Sequence, residues 1–455
     1  MSILSLNDLA LELVALDFSN GHSPNNAGPT KTSRALAIIH LAAYDAYAQV
    51  VTGSLTPQLG TLPPRPPGLA SNDATGTVAM LSAGIWAAEQ LYPDFVGFIA
   101  DVVGSGARKL NGEILKIEVN TNPAAVLYGK AVADAWIDAR KNDNSELPQL
   151  DKLYSNGVGK HRPDPVNPGQ SALGRTWGLV KPFVLNNVVN DAFLAPPPSL
   201  TSEEYAKAFD EVAICGKDDI TGRDETFRHK AIVGIFWGYD GSNKLGTPPR
   251  LYNQVVRAIP ELTAPTISHA QQIKILTAIN VAMADAGIAA WYWKYEYDFW
   301  RPVVGIREAD KGFGPSGGGD GNTVRNEAGN PFWKPLGAPQ SNPLNPPVNN
   351  FTPNFPAYPS GHSTFGSACF ETAAALLCKS TQDINVTFIS DEFNGKTTDN
   401  TGTTRPKLEE CFSLQKAIAD NEVSRIYLGV HWKFDATGGR MVGEAVARKT
   451  IESFH

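Results

Sequence analysis

The sequence has little of what marks several protein classes. Its 455 residues include four cysteines, Cys215, Cys369, Cys378 and Cys411, with no Cys-x-x-Cys pair. So few and so scattered, they exclude a disulfide framework and a thiolate zinc site. They are expected to be small buried thiols, with Cys369 and Cys378 on one helix. Charge is also scarce, at 19% of residues with a formal net charge of -7. That mild acidity argues against a nucleic-acid partner, which calls for a basic face. There is no uninterrupted apolar run of ~18 residues, so no membrane span is expected. The most apolar window, Leu276–Trp293, is broken by Asn280 and Asp285. The N-terminal stretch MSILSLNDLALELVALDF lacks a basic start and carries Asp8 and Glu12. No signal peptide is visible there, and the compartment is left open. What remains is a long chain, 42% hydrophobic, able to bury a large core.

Strand-type alternation is sparse, and helical periodicity dominates. Ser33–Val51 repeats apolar residues at steps of three and four behind a Ser cap. The same pattern predicts helices over Ala74–Tyr92, Ala124–Arg140, Ser202–Cys215, Glu225–Trp237 and Leu251–Ile259. It continues over Ser268–Trp300, Ser360–Lys379, Leu408–Tyr427 and Gly439–Phe454. An all-α, bundle-like fold follows. The 41 glycines and 33 prolines cluster. One cluster, Ala195–Ser199 (APPPS), reads as a joint between residues 1–198 and 199–455. A second spans Gly312–Ser360 and includes GPSGGGDGN; a loop of that length is a candidate wall of an active-site entrance.

Three stretches carry chemistry. In WYWKYEYDFWRP, Lys294 and Arg301 lie seven residues apart, about 700° around a helix, which predicts one face and ~10 Å of axial separation. Pro302 places Arg301 at that helix's C-terminal end. Two cations on one face invite an oxyanion, although Lys294 could simply pair with Asp298 one turn on. In Pro359-Ser360-Gly361-His362 a loop enters a helix. Ser360 is placed to cap it, the free N–H groups make an anion site, and His362 in the first turn is set for proton transfer. In SRIYLGVHWKFD, Arg425 adds a guanidinium, and Gly429 lets the backbone bend. Asp435, one turn after His431, can hold the imidazole in one tautomer. Each stretch alone also reads as an ordinary cap or surface pair. Together they assemble two arginines, a lysine, a hydroxyl, a helix N-terminus and two histidines around one oxyanion. His22, His40, His161, His229, His269 and His455 lack such company and read as ordinary core or surface residues.

At these residues the chain resembles the superfamily of vanadium-dependent haloperoxidases and type-2 phosphatidic acid phosphatases, and within it the vanadium chloroperoxidase branch. The likeness extends through Phe236–Ile259, Lys294–Glu308, Asn354–Gly366 and Ser424–Ala436, and a similar stretch occurs at Arg34–Tyr47. The resemblance implies two four-helix bundles with vanadate in the second. It implies that His431 ligates vanadium, and that Lys294, Arg301, Arg425, Ser360 and the Gly361 N–H bond its oxygens. His362 would act as acid–base, Asp240 would steady the arginines, and Trp291 and Phe355 would line a halide pocket. The substrates would be hydrogen peroxide and halide, the product hypohalous acid or an equivalent halogenating species. The same motifs also serve a soluble acid phosphatase, with His431 as nucleophile and His362 protonating the leaving group. A non-enzymatic helical scaffold binding phosphate or sulfate is the third reading.

Overall fold

The computed structural model describes residues 2–19, 21–105, 122–148, 154–218, 225–310, 312 and 328–455. The run GPSGGGDGN lies outside the described residues. The first helices are α1 (Ile3–Asp17), α2 (Gly28–Val50), α3 (Asp73–Leu91), α4 (Val96–Ala100) and α5 (Pro123–Arg140). After the short α6 (Val188–Asp191) come α7 (Glu203–Cys215), α8 (Glu225–Phe236) and α9 (Pro248–Arg257). Then follow α10 (His269–Tyr297), α11 (Pro302–Arg307), α12 (Gly361–Leu376), α13 (Leu414–Tyr427) and α14 (Lys433–Phe454). Side-chain oxygens start many of them. Asn72, Asn122, Ser202, Ser268, Ser360 and Ser413 each accept from a backbone N–H three residues on.

Helix α10 is the axis of the molecule. It packs against both α2 and α12; α2 in turn packs on α3 and α5, and α12 on α14. The buried apolar side chains form one continuous cluster across these helices. Alanines at 278, 282, 286, 289 and 290 keep α10 slim enough for neighbours on every side. Among the described residues this is the one helix long and apolar enough to cross a membrane, and 94% of its apolar window is buried inside the protein. It is a core helix. Where α14 crosses α12, a Cβ on Gly439 would meet the Ser360 carbonyl oxygen at 2.5 Å, and one on Gly443 the Thr364 oxygen at 2.5 Å. Only glycine permits this approach, which sets the N-terminus of α12 against the start of α14.

Several expectations need correction. The helix predicted over Leu408–Tyr427 begins only at Leu414; Glu410–Ser413 is instead a strand, β2, paired antiparallel with β1 (Asn385–Phe388). Its local alternation buries Phe412 while leaving Glu410 and Cys411 exposed, and Ser413 then caps the helix. Helix α10 stops at Tyr297, where Asp298 adopts a left-handed conformation with φ 52. Cys378 lies past the end of α12, not on it, and both Cys378 and Cys411 are exposed, whereas Cys369 is buried as expected. The N-terminal segment, read only for targeting signals, forms α1 and buries Ile3, Leu6, Leu9 and Leu13.

Candidate active site

Lys294 and Arg301 do not share a helix. Lys294 sits in the last turn of α10, fully buried, while Arg301 follows the left-handed turn and precedes Pro302, the first residue of α11. A residue before proline is driven to extended backbone, and Arg301 has φ -81 and ψ 157. The turn still returns Arg301 to the same place. The Lys294 ammonium lies 5.1 Å, and the Arg301 guanidinium 4.9 Å, from the centre of the Phe355 ring. Lys294 does not pair with Asp298. Its Nζ donates to the carbonyls of Pro356 at 2.9 Å, Ala357 at 3.1 Å and Pro359. These bonds pin the loop that delivers Phe355, Ser360 and His362.

Helix α13 supplies Arg425, whose two terminal nitrogens donate to both oxygens of Asp240 at 2.8 and 2.7 Å. This fork-to-fork pairing fixes the guanidinium plane. His362 enters from the first turn of α12, with its Nε2 3.9 Å from Asp240 Oδ1. The His362 carbonyl accepts from Tyr252 Oη at 3.1 Å and Asn421 Nδ2 at 2.9 Å. Neither of these supporting residues was singled out from sequence. Asn421 had a readable signal, since it lies one helical turn before Arg425 on the same face of α13.

His431 precedes α14. Gly429, two residues earlier, has φ 73, and a Cβ there would meet the Gly216 carbonyl oxygen at 2.3 Å. The chain therefore bends tightly into place. His431 Nδ1 lies 2.9 Å from Asp435 Oδ2, which also accepts from the Trp432 N–H at 2.9 Å. On the other side, Arg301 Nη1 lies 2.9 Å from His431 Nε2 and 2.7 Å from the Val430 carbonyl oxygen. A guanidinium can only donate, so Nε2 is the acceptor and the proton sits on Nδ1, toward Asp435. The lone pair on Nε2 thus faces the cationic cluster, with Arg301 as its donor.

Lys294, Arg301, Arg425, His362 and His431 share a water-excluded volume, each no more than 7% exposed. Burial, then the neighbouring Arg425, Arg301 and Lys294, hold His362 well below the usual imidazole range. Burial and the same cations do so for His431. Lys294 is depressed by burial and by Arg301; Arg301 itself is lowered to about 9, mainly by burial. Burial lifts Asp435 to about 7. The cationic groups are thus pushed toward losing charge, the response of a cluster whose positive charge exceeds its carboxylates.

Hydrogen bonding points the same way. Arg301 Nη2, Arg425 Nε and His362 Nε2 are buried and have no partner. An oxyanion supplies both the charge and the acceptors that the two guanidinium nitrogens lack, and a protonated oxygen on it would give the neutral imidazole a donor. Among the described residues no group of three His, Cys, Asp or Glu side chains could hold a bare metal cation. The donor set therefore fits vanadium as its oxyanion, held through one imidazole and several N–H groups. Asp240, Gly361, His362, Arg425 and His431 line a pocket of about 390 Å³ together with Trp291 and Phe355. The rings of Trp291 and Phe355 lie 4.9 Å apart. Phe351, Pro353 and Asn354 from the long loop also line it, as expected of an entrance wall. None of the six remaining histidines does. His40, for example, is held in the core by Asn7 and the Leu36 carbonyl.

Residues 274–455 match the family model of the vanadium chloroperoxidase second helical-bundle domain. The chain is 31% identical to the vanadium chloroperoxidase of Curvularia inaequalis over a 513-residue alignment, covering 96% of this chain and 79% of that protein. Its fold is similar to that of a bacterial vanadium-dependent iodoperoxidase, with a TM-score of 0.72 at 20% identity over 99% of this chain and 97% of that one. It is also similar to an apo-type bacterial vanadium-dependent chloroperoxidase, with a TM-score of 0.65 at 17% identity over 94% of each chain. Helical architecture, buried cationic pocket and an identity that spans nearly the whole sequence agree, and the chain belongs to the vanadium-dependent haloperoxidase family.

Proposed function

We propose that this protein oxidises halide with hydrogen peroxide, releasing hypohalous acid or an equivalent halogenating species, with vanadate as cofactor. The observation that carries the reading is the buried His431 Nε2, whose lone pair faces the Arg301 guanidinium, beside unpaired nitrogens of Arg301, Arg425 and His362. When bound, vanadate supplies a Lewis-acidic centre that activates peroxide toward halide without changing oxidation state.

The chain's own residues do the rest. His431 is the vanadium ligand through Nε2, and Asp435 holds its proton on Nδ1. Arg301, Arg425, Ser360 and the Gly361 N–H bind the oxyanion's oxygens and neutralise their charge before reaction begins. Asp240 keeps the Arg425 fork in plane. Lys294 holds the carbonyls of Pro356, Ala357 and Pro359, and would reach the oxyanion's oxygens by giving up one of them. His362, kept neutral by burial and cations, accepts and returns a proton at Nε2. Trp291 and Phe355 form the apolar halide pocket. Residues 1–198 and 199–455 are the two bundles of this reading, the second carrying the chemistry.

One assay tests it. Apo protein is incubated with orthovanadate, peroxide and chloride or bromide, and halogenation of a dye is followed. Vanadate-dependent turnover is expected. Hydrolysis of an aryl phosphate that vanadate inhibits, without halogenation, would overturn the reading in favour of a phosphatase.

A further inference from the structure

Outside the oxyanion site, two nucleophilic side chains touch. Cys215, the last residue of α7, is half-buried, and Lys230 on α8 donates from Nζ to its Sγ at 3.3 Å. Among the described residues it is the one cysteine with a lysine on its sulfur; Cys369 lies in the core, and Cys378 and Cys411 are exposed. Two aromatic faces hold the lysine there. Its ammonium lies 5.3 Å from the centre of the Phe227 ring and 5.6 Å from that of Tyr427 on α13.

The pair sits behind the vanadium ligand. Gly216, the next residue, lies against the bend that delivers His431: a Cβ on Gly216 would meet the Gly429 Cα at 2.3 Å. The Gly216 carbonyl also accepts from the Leu336 N–H at 2.8 Å. Oxidation of Cys215 to a sulfinate or sulfonate would bring an irreversible charge to this contact. A half-buried thiol on an enzyme that releases hypohalous acid meets such an oxidant at every turnover. The amine beside it offers another outcome.

We propose that hypohalous acid joins Cys215 Sγ to Lys230 Nζ as a sulfenamide, a reversible cross-link between α7 and α8. The proposal rests on the haloperoxidase reading only for the source of the oxidant. The thiol and hypohalous acid give a sulfenyl halide and water, the sulfur losing two electrons to the halogen. Nζ, having released a proton, attacks the sulfur. The sulfur–nitrogen bond forms as the sulfur–halogen bond breaks, and halide leaves with the bonding pair. The balance is thiol, ammonium and hypohalous acid on one side; sulfenamide, water, halide and two protons on the other. The 3.3 Å separation lies within the about 3–3.5 Å from which bonds form with little rearrangement. Capture of an oxidised sulfur by nitrogen stops the oxidation ladder on a reversible rung.

The test is peptide mass mapping of the folded protein after one equivalent of hypochlorous acid, with tryptic digestion in the absence of reductant. Peptides 208–217 and 229–244 should emerge joined, about 2 Da lighter than their sum, and should part again in dithiothreitol. Cys215 recovered as sulfinate or sulfonate with Lys230 free overturns the proposal, as does a cross-link spread equally over other lysines. Lys230→Arg keeps a donor on the sulfur but offers no nucleophilic amine. It should abolish the joined peptides and leave Cys215 carrying added oxygens; an unoxidised Cys215 in that variant would count against interception by the amine. A second sample replaces the added acid with vanadate, peroxide and bromide. Joined peptides there support both the cross-link and its source. Their absence beside dye halogenation overturns the cross-link as a product of turnover. Their absence without halogenation sinks the haloperoxidase reading, while the sample given hypochlorous acid decides the cross-link by itself.

Discussion

Two buried charged side chains lie nine residues apart on α10, each hydrogen-bonded to loop backbone, and they keep opposite company. Asp285, wholly buried, accepts from the backbone N–H of Phe183 at 2.7 Å, Val184 at 2.8 Å and Leu185 at 2.9 Å. Both its oxygens are engaged, and it staples a loop to the core. Lys294, equally buried, belongs to a cluster whose members Arg301, Arg425 and His362 keep unpaired nitrogens. Burial alone does not separate a staple from a binding site. The unused hydrogen-bonding capacity does, because leaving it unused is costly unless a ligand completes it.

That contrast can be broken or sharpened by substitution. The largest effect belongs to His431→Ala, which removes the imidazole read as the vanadium ligand. Affinity should fall roughly a hundredfold or more, with only a modest drop in thermal midpoint from the lost Asp435 and Arg301 bonds, read by ultraviolet titration and calorimetry. Retained affinity would show that the ligand is elsewhere. Asp285→Ala should do the reverse. Three backbone N–H groups, two half-buried and one buried, lose their acceptor, at about 3 kcal/mol in all, while vanadate affinity of the folded fraction is unchanged. Denaturant unfolding and the same titration decide it, and a loss of affinity matching the His431 variant would erase the distinction. Asp240→Asn leaves Arg425 in place but loosens its fork. A loss of roughly tenfold or more in vanadate affinity is expected, smaller than for the ligand itself. The smallest effect is one of selectivity. Phe355→His puts a polar ring between Lys294, Arg301 and the halide, and should shift the ratio of chloride to bromide turnover severalfold at similar vanadate affinity. An unchanged ratio would move the halide pocket away from Phe355.

Most of the site was legible because its chemistry is local in sequence. His431 and Asp435 sit one turn apart, and Ser360 precedes a helix that begins at Gly361, so short-range geometry suffices. The reading of Lys294 and Arg301 as one helical face reached the right neighbourhood through the wrong geometry. A left-handed residue at Asp298 and the proline after Arg301 redirected the chain. Tyr252 and Asn421, which meet at the His362 carbonyl, come from helices far apart in sequence. The strand Glu410–Ser413 was hidden because four residues of alternation cannot compete with a helical pattern that continues for fourteen more. Only its partner Asn385–Phe388, across the fold, makes it a strand.

By itself the sequence determined most of the helices, several of their caps (though not at Ser33, which lies inside α2) and the residue types of an oxyanion cage, because periodicity, capping and charge act over a turn or two of chain. The tertiary structure decided which of those charges were already satisfied. It turned Lys294 onto three loop carbonyls, spread Arg425 across Asp240, and left nitrogens of Arg301, Arg425 and His362 facing no partner. Hydrogen bonds saturate within about 3 Å, and only packing sets which groups come that close.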